Sequence, residues 1–329
     1  MTRWRILLAA AMVLGGLGAV TALGKALEHV IWHIEEDKGF AYLYDPNGGE
    51  VNYVFGGKGV NAFKPYVNRL LSPKKINPLR DNVADHIHHH GLMFAVAIDG
   101  VDFWSETAKC GRQVQQLIVG RFGKTDSMKA EIDWIGPDGK TVMATENRTL
   151  ELYSRNIDKS GKPVPMLATW RTQLSPPAGA ESIKLTGSHY FGLGMRFVKS
   201  MDNASTFTFA DPNAASLAVR GDEKLTPSAW AACTGAVDGN TVTVAMFDHP
   251  DNPRPALWFT MGKQFSYLSA TINLWKEPLV VKAVEKLDVC YGVAVWDSKA
   301  TREQIDAACR QWQKLAPSLK AEKKDKAKD

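Results

Sequence analysis

From Phe40 to Trp296 the sequence is a succession of short apolar or β-branched runs, each cut off by a turn signal, and that rhythm leaves few folds open. Phe40 to Tyr44 and Val51 to Phe55 flank Asp45-Pro46-Asn47-Gly48-Gly49, a hairpin signal. The plainest hairpin comes later, where Ala130 to Ile135 and Thr141 to Tyr153 are parted by Gly136-Pro137-Asp138-Gly139. Near its end Leu150 and Leu152 alternate with Thr149 and Glu151, as in a strand wet on one face. Further runs include Met166 to Leu174, Phe191 to Val198, Thr241 to Phe247 and Leu279 to Trp296. Helical periodicity with caps occurs once: Thr301 and Gln304 form a capping box, and Ile305, Ala308, Trp312 and Leu315 share a face before Pro317. The predicted fold is all-β, an antiparallel β-sandwich with a C-terminal helix, in one domain over residues 25–316.

The two ends carry their own signals. Arg3 and Arg5 precede an uncharged run from Ile6 to Leu23, so residues 1–24 read as a signal peptide or N-terminal anchor. The chain is therefore expected to be exported: periplasmic, secreted, or held at a membrane by that segment if it stays uncleaved. Residues 317–329 read as a disordered charged tail. The formal charge of +5 resides in these ends, because Arg3 and Arg5 supply +2 and the stretch from Lys314 onward +3. The body is near neutral, which removes the electrostatic support that a nucleic-acid partner needs. Cys110, Cys233, Cys290 and Cys309 suit up to two disulfides or a set of buried thiols, and their wide spacing speaks against a cysteine-ligated metal.

Four of the eight histidines stand within Asp85-His86-Ile87-His88-His89-His90-Gly91, directly before the apolar run Leu92 to Ile98. If that run is a buried strand fed by an extended segment, side chains two apart share a face. His86, His88 and His90 then project together and His89 opposite. Three imidazoles on one face suit a divalent metal of unknown identity, or supply general acids and bases; histidines bonded into a turn are the plainer account.

Past the turn at Asp99-Gly100 lie Trp104 and Glu106. A tryptophan beside a carboxylate can stack a sugar ring and bind its hydroxyls. Glu106 reaches the histidines only if the chain doubles back, since a strand of this length spans roughly 20 Å. Phe247-Asp248-His249-Pro250-Asp251-Asn252-Pro253-Arg254 is a polar loop fixed by two prolines, which presents Asp248, His249 and Arg254 either for function or as a turn tied by its own side chains. His189 is a weaker candidate. No serine-hydrolase elbow, no zincin helix motif and no dinucleotide fingerprint occurs, so no nucleotide cofactor is expected.

Phe63-Lys64-Pro65-Tyr66, Asp85 to Leu92, Asp99 to Trp104 and Phe247 to Arg254 occur in the order and rough spacing of a bacterial family of unknown function commonly labelled "methane oxygenase PmoA-like". From about Val30 to Trp296 the chain resembles that family. The membrane subunit of methane monooxygenase is a bundle of long apolar helices, and no such span follows Leu23. The resemblance thus implies an exported all-β protein of carbohydrate-degrading bacteria, with the supersandwich of sugar mutarotases as its form. Ile87 stands where the family usually has Pro and His90 where Arg is common, which leaves no permanent cation there.

The leading expectation is an extracytoplasmic enzyme acting on a sugar or glycoside. In it His88, His249, Glu106, Asp248 and Arg254 are catalytic, Trp104, His189 and Arg254 hold substrate, and His86, His88 and His90 bind a divalent metal. A non-catalytic carbohydrate-binding envelope protein, for which the ten tryptophans would serve as platforms, and a copper-dependent oxygenase are the alternatives.

Overall fold

Strand Val142–Tyr153 shows how the sequence rhythm becomes structure: Ala144, Glu146, Arg148, Leu150 and Leu152 turn inward, and Asn147 faces solvent. The structure, a computed structural model, describes residues 30–45, 48–56, 63–121, 127–153 and 164–319. The expected leader and the tail beyond Leu319 lie outside them.

The strands form three antiparallel sheets. One has ten strands, in the spatial order Ile31–Glu35, Phe40–Tyr44, Glu50–Val54, Tyr66–Leu71, Leu92–Ala95, Gly192–Arg196, Tyr267–Thr271, Leu257–Met261, Glu223–Pro227 and Leu217–Arg220. The second has eight, in the order Thr206–Phe209, Trp230–Val237, Asn240–Asp248, Leu287–Trp296, Met166–Ser175, Val142–Tyr153, Ser127–Ile135 and Arg112–Arg121. A small third sheet holds Leu279–Lys282, Ser182–Thr186, Ala97–Ile98 and Val101–Asp102. The two large sheets face each other across one apolar core, where Val51, Val67, Leu70 and Leu92 meet Leu150, Trp170 and Val293. This is the expected antiparallel sandwich.

The run after the histidines is not one strand. Leu92–Ala95 pairs within the ten-stranded sheet, Val96 is a buried break, and Ala97–Ile98 pairs in the small sheet. A continuous apolar run is what a chain needs when it passes from one buried sheet into another, so periodicity could not mark the break. Asp99 and Gly100 then take positive φ, and the chain reverses so that Phe103 N–H donates to Val96 O at 3.3 Å.

The helix Arg302–Leu315 has the expected capping box: the Thr301 hydroxyl accepts from Gln304 N–H and the Gln304 side chain accepts from Thr301 N–H. It buries Ile305, Ala308, Cys309 and Trp312 against the outer face of the eight-stranded sheet, in a second apolar cluster. Leu315, expected on that face, is 42% exposed, and Cys309 fills the place instead. Leu319 is buried in the same cluster, so packing continues past Ala316. Gly292 admits the helix, because a Cβ there would lie 2.5 Å from Trp312 Cδ2. All four cysteines are free and buried; burial pushes the Cys233 and Cys309 thiols up to about 12, which leaves them inert.

A buried ion pair stitches the two large sheets together. Glu146 accepts from Arg148 Nε at 2.8 Å, from Trp134 Nε1 at 2.9 Å and from Thr172 Oγ1 at 2.8 Å. Arg148 reaches across to Pro65 O at 2.9 Å, next to strand Tyr66–Leu71 of the ten-stranded sheet, and donates within its own sheet to Gln113 Oε1 at 3.0 Å. Glu146→Gln is expected to cost about 3 kcal/mol, because it strands a buried guanidinium. Urea denaturation checks this; a loss under about 1 kcal/mol would mean that water or relaxation replaces the pair.

Candidate functional site

The histidine segment is a pair of tight turns, not an extended arm. His86 N–H donates to Val83 O at 3.0 Å and His89 N–H to His86 O at 2.8 Å. Gly91 ends the turns at φ +26°, and a Cβ there would meet Val67 O at 2.1 Å, so only glycine lets the loop lie so close to the sheet. Turn geometry overturns the expected two-residue periodicity. His86 and His89 stack at 4.7 Å, and His88 meets His89 edge-on at 4.6 Å. His90 is the ring that departs: Nδ1 lies 2.7 Å from Asp81 Oδ1 and Nε2 3.0 Å from Glu106 Oε1, with its face on Tyr66.

That arrangement corrects the metal assignment. Both nitrogens of His90 are engaged by carboxylates, so His86, His88 and His90 do not converge as a ligand set. Among the described residues no group of three or more His, Cys, Asp or Glu side chains is disposed to hold a metal ion. The three-imidazole set expected for a divalent metal is thus not formed, because His90 belongs to the carboxylates behind the turns.

Behind the histidines sits a buried chain of charges. Lys64 Nζ donates to Glu106 Oε1 at 2.6 Å and to Trp104 O at 2.8 Å, and Tyr66 donates to Asp81 at 2.8 Å. Glu106 does reach the histidines, because the chain doubles back at Asp99-Gly100. Burial alone would favour its neutral form, but the His90 hydrogen bond and the Lys64 charge hold Glu106 down to about 2. Burial likewise opposes charge on His90, yet its hydrogen bonds to Asp81 and Glu106 outweigh that and raise it. Burial, aided by the Lys64 charge, lowers His88 to about 4; burial and the neighbouring imidazoles lower His89 to about 2.

His86, His88 and His89 form one wall of a cavity of about 540 Å³. It lies over the face of the ten-stranded sheet turned away from the eight-stranded one: Gly194 and Arg196 alternate with Leu193 and Met195, which pair with Phe94 and Leu92 of the core. Gly194 leaves the space that Tyr267 fills, since a Cβ there would lie 2.0 Å from the Tyr267 hydroxyl. Tyr190, Phe259, Phe265 and Tyr267 give the cavity aromatic surfaces, and Arg220, Asp222 and Glu223 line its other side. Glu223 is fixed by His189 Nε2 at 3.0 Å and Arg220 Nη2 at 2.7 Å. Two backbone N–H groups, of Gly262 and Lys263, hold Asp222 as the anion against the pull of burial.

Several expected site residues therefore lie elsewhere. Trp104 is fully buried, stacked on Phe191 at 5.1 Å beneath His89, and offers no face to a sugar. Asp248 accepts from Asn252 Nδ2 at 2.7 Å and Ala256 N–H at 2.8 Å, and burial pushes its carboxyl up to about 6. His249 accepts from Asp251 N–H at 3.1 Å and meets Trp312 of the helix edge-on at 5.7 Å. Arg254 donates to the carbonyls of Ile272, Glu277 and Pro278. The proline-fixed loop thus ends strand Asn240–Asp248 of the other large sheet, under the helix, and does not line the cavity. His189 adjoins the cavity through Glu223. Sequence reasoning missed Tyr190, Arg220, Asp222, Glu223, Phe265 and Tyr267; only Lys64, inside an aromatic-proline motif, stood near a signal.

A family model described as a family of unknown function (DUF6807) matches residues 48–310. No curated protein matches the chain. Among solved structures it is similar to a GH36 α-galactosidase of Geobacillus stearothermophilus, at 9% identity and TM-score 0.50, covering 82% of this chain and 41% of that one. The α-galactosidase of Lactobacillus brevis gives 6% identity and TM-score 0.51, covering 85% and 42%. A putative mutarotase of Salmonella typhimurium aligns over 84% of this chain and 99% of its own at 9% identity, with TM-score 0.37. This chain spans about two fifths of the galactosidases' length, and at such identity the likeness concerns fold alone. None of these findings supports the methane-oxygenase label.

Two opposed pH dependences follow from the imidazoles. His88 and His89, held neutral below the ordinary value of 6.5, contribute stability above it that is lost as pH falls towards about 4. His90, raised, contributes stability that is complete below 6.5 and lost as pH climbs through its folded value. Urea denaturation from pH 4 to 8 is expected to show His89→Gln flattening the acid limb and His90→Gln the upper one; parallel profiles for parent and variants would refute the assignment.

Proposed function

The chain belongs to the family of unknown function DUF6807, and we propose that it is a carbohydrate-active enzyme, exported by its N-terminal run, whose working site is the cavity over the histidine turns. The lining carries this reading: the faces of Tyr190, Phe259, Phe265 and Tyr267 stand beside the hydrogen-bonding groups of His86, His88, Asp222 and Glu223. A sugar ring has the same two-sided character, with apolar C–H faces and a polar rim, and about 540 Å³ is ample for one. The neighbours of comparable fold are named as α-galactosidases, which agrees with a sugar ligand.

His88 is the group for proton transfer. Burial and the Lys64 charge keep its ring neutral near pH 7, so it can accept a proton from the sugar and return it. Glu223, braced by His189 and Arg220, accepts a hydrogen bond from a hydroxyl and orients the ring. Lys64, Glu106 and His90 form the ionic frame behind, and His86, bonded to Asp85 at 3.0 Å, completes the wall. Glycoside hydrolysis requires a carboxylic acid kept protonated. Asp222, in the cavity wall, is held as the anion by two backbone N–H groups and is a poor proton donor, which beside a neutral His88 favours proton transfer of the epimerase or lyase type. A second reading, non-catalytic sugar binding, draws on the same His88 value of about 4, since so weak a base works poorly at neutral pH.

The test is NMR of monosaccharide and glycoside panels in D2O, following solvent deuterium into the sugar and interconversion of isomers. His88→Ala is expected to lower turnover by about 100-fold or more while binding persists. Glu223→Gln is expected to weaken binding by about tenfold. Binding without turnover in the parent would select the second reading; full turnover in His88→Ala would end the acid-base assignment.

A further inference from the structure

Trp275 is the exposed aromatic side chain adjoining the cavity, 40% accessible, on the loop that follows strand Tyr267–Thr271. His189 joins it to the site: its ring lies 5.4 Å from Trp275 and 5.0 Å from Tyr190, and its Nε2 holds Glu223. Tyr190 and Glu223 both line the cavity, so the indole stands one side chain beyond the cavity wall.

The loop bearing it is braced. Arg254 donates to three of its carbonyls, Asn273 takes φ +61°, and Asn273 Nδ2 donates to Glu277 Oε1 at 2.9 Å. An arginine spent on carbonyls alone holds a backbone in shape, and what that shape presents outward is the indole. The two fifths of the ring's surface that stays wet contributes no burial to the fold and is available to the apolar face of a ligand. Lys276 Nζ lies 4.9 Å over one face, an exposed cation-π contact that a ligand displaces at little cost.

We infer that Trp275 is a stacking platform for a second or third sugar residue, so that the ligand is an oligosaccharide bound with one unit in the cavity and the next outside it. The inference rests on the carbohydrate reading above and extends it from a sugar to a chain of sugars. Arg254 thereby acts as a positioning residue through the loop, without touching ligand.

Calorimetric titration of the full chain with glucose, galactose, xylose and arabinose ladders, from mono- to tetrasaccharide, tests it. In the parent, affinity is expected to rise about tenfold between one unit and three for the ladder that binds. Trp275→Ala is expected to bring the longer sugars down to the monosaccharide's level, and Trp275→Phe to keep most of the gain; thermal melts confirm folding of both. A gain with length that survives Trp275→Ala, or monosaccharide binding with no gain at all, overturns the platform and leaves the cavity reading intact. No binding of any ladder by the parent overturns both.

Discussion

An ammonium group with no access to water sets the terms for the site. Lys64 is fully enclosed, and a buried charge left unpaired costs several kcal/mol, so everything around it must supply acceptors. Glu106 is brought back by the reversal at Asp99-Gly100 to be that partner, His90 bonds to Glu106, and Asp81 to His90. Each link supplies a partner to a buried group, and the turns that carry the three other imidazoles are anchored to this chain through His90. The adjacent residue, Pro65, gives its carbonyl to Arg148, so the frame behind the site and the ion pair joining the sheets meet at residues 64 and 65.

The same frame sets the charge of His90. Its two carboxylate partners raise it, so the position keeps a tendency to positive charge that a histidine in isolation lacks. His88 and His89, a residue or two away, face the opposite way electrostatically, lowered by burial and by the cations around them. Neighbours in sequence are thus assigned opposite roles: one histidine belongs to the scaffold and the others to the cavity.

A sandwich leaves the outer faces of its sheets to be covered, and the two faces here are used differently. The helix closes the outside of the eight-stranded sheet with Trp312 against Gly292, and the proline-fixed loop with His249 is part of that closure. On the ten-stranded sheet the histidine turns and aromatic rings cover the face incompletely, and the gap is the cavity. Two histidine-carboxylate motifs that look alike in sequence therefore end in unlike settings, one structural and one open.

The strands, the main hairpins and the capped helix are legible in the sequence, because each depends on local chemistry: alternation, turn residues, a capping box. Whether Glu106 returns to the histidines is not decided by local sequence, since nothing in Leu92 to Ile98 marks the break at Val96. The facing of the imidazoles departs from the two-residue expectation because turn hydrogen bonds, not strand periodicity, orient them. Trp104 and Trp275 are the same residue type, yet one is sealed in the core and the other stands in solvent. Glu223 and His189 are 34 residues apart and meet only by the pairing of strands. Sequence alone determined the class of fold and the stock of chemical groups; tertiary structure decided which groups face water and which face each other, because burial and long-range pairing belong to the whole chain and to no segment of it.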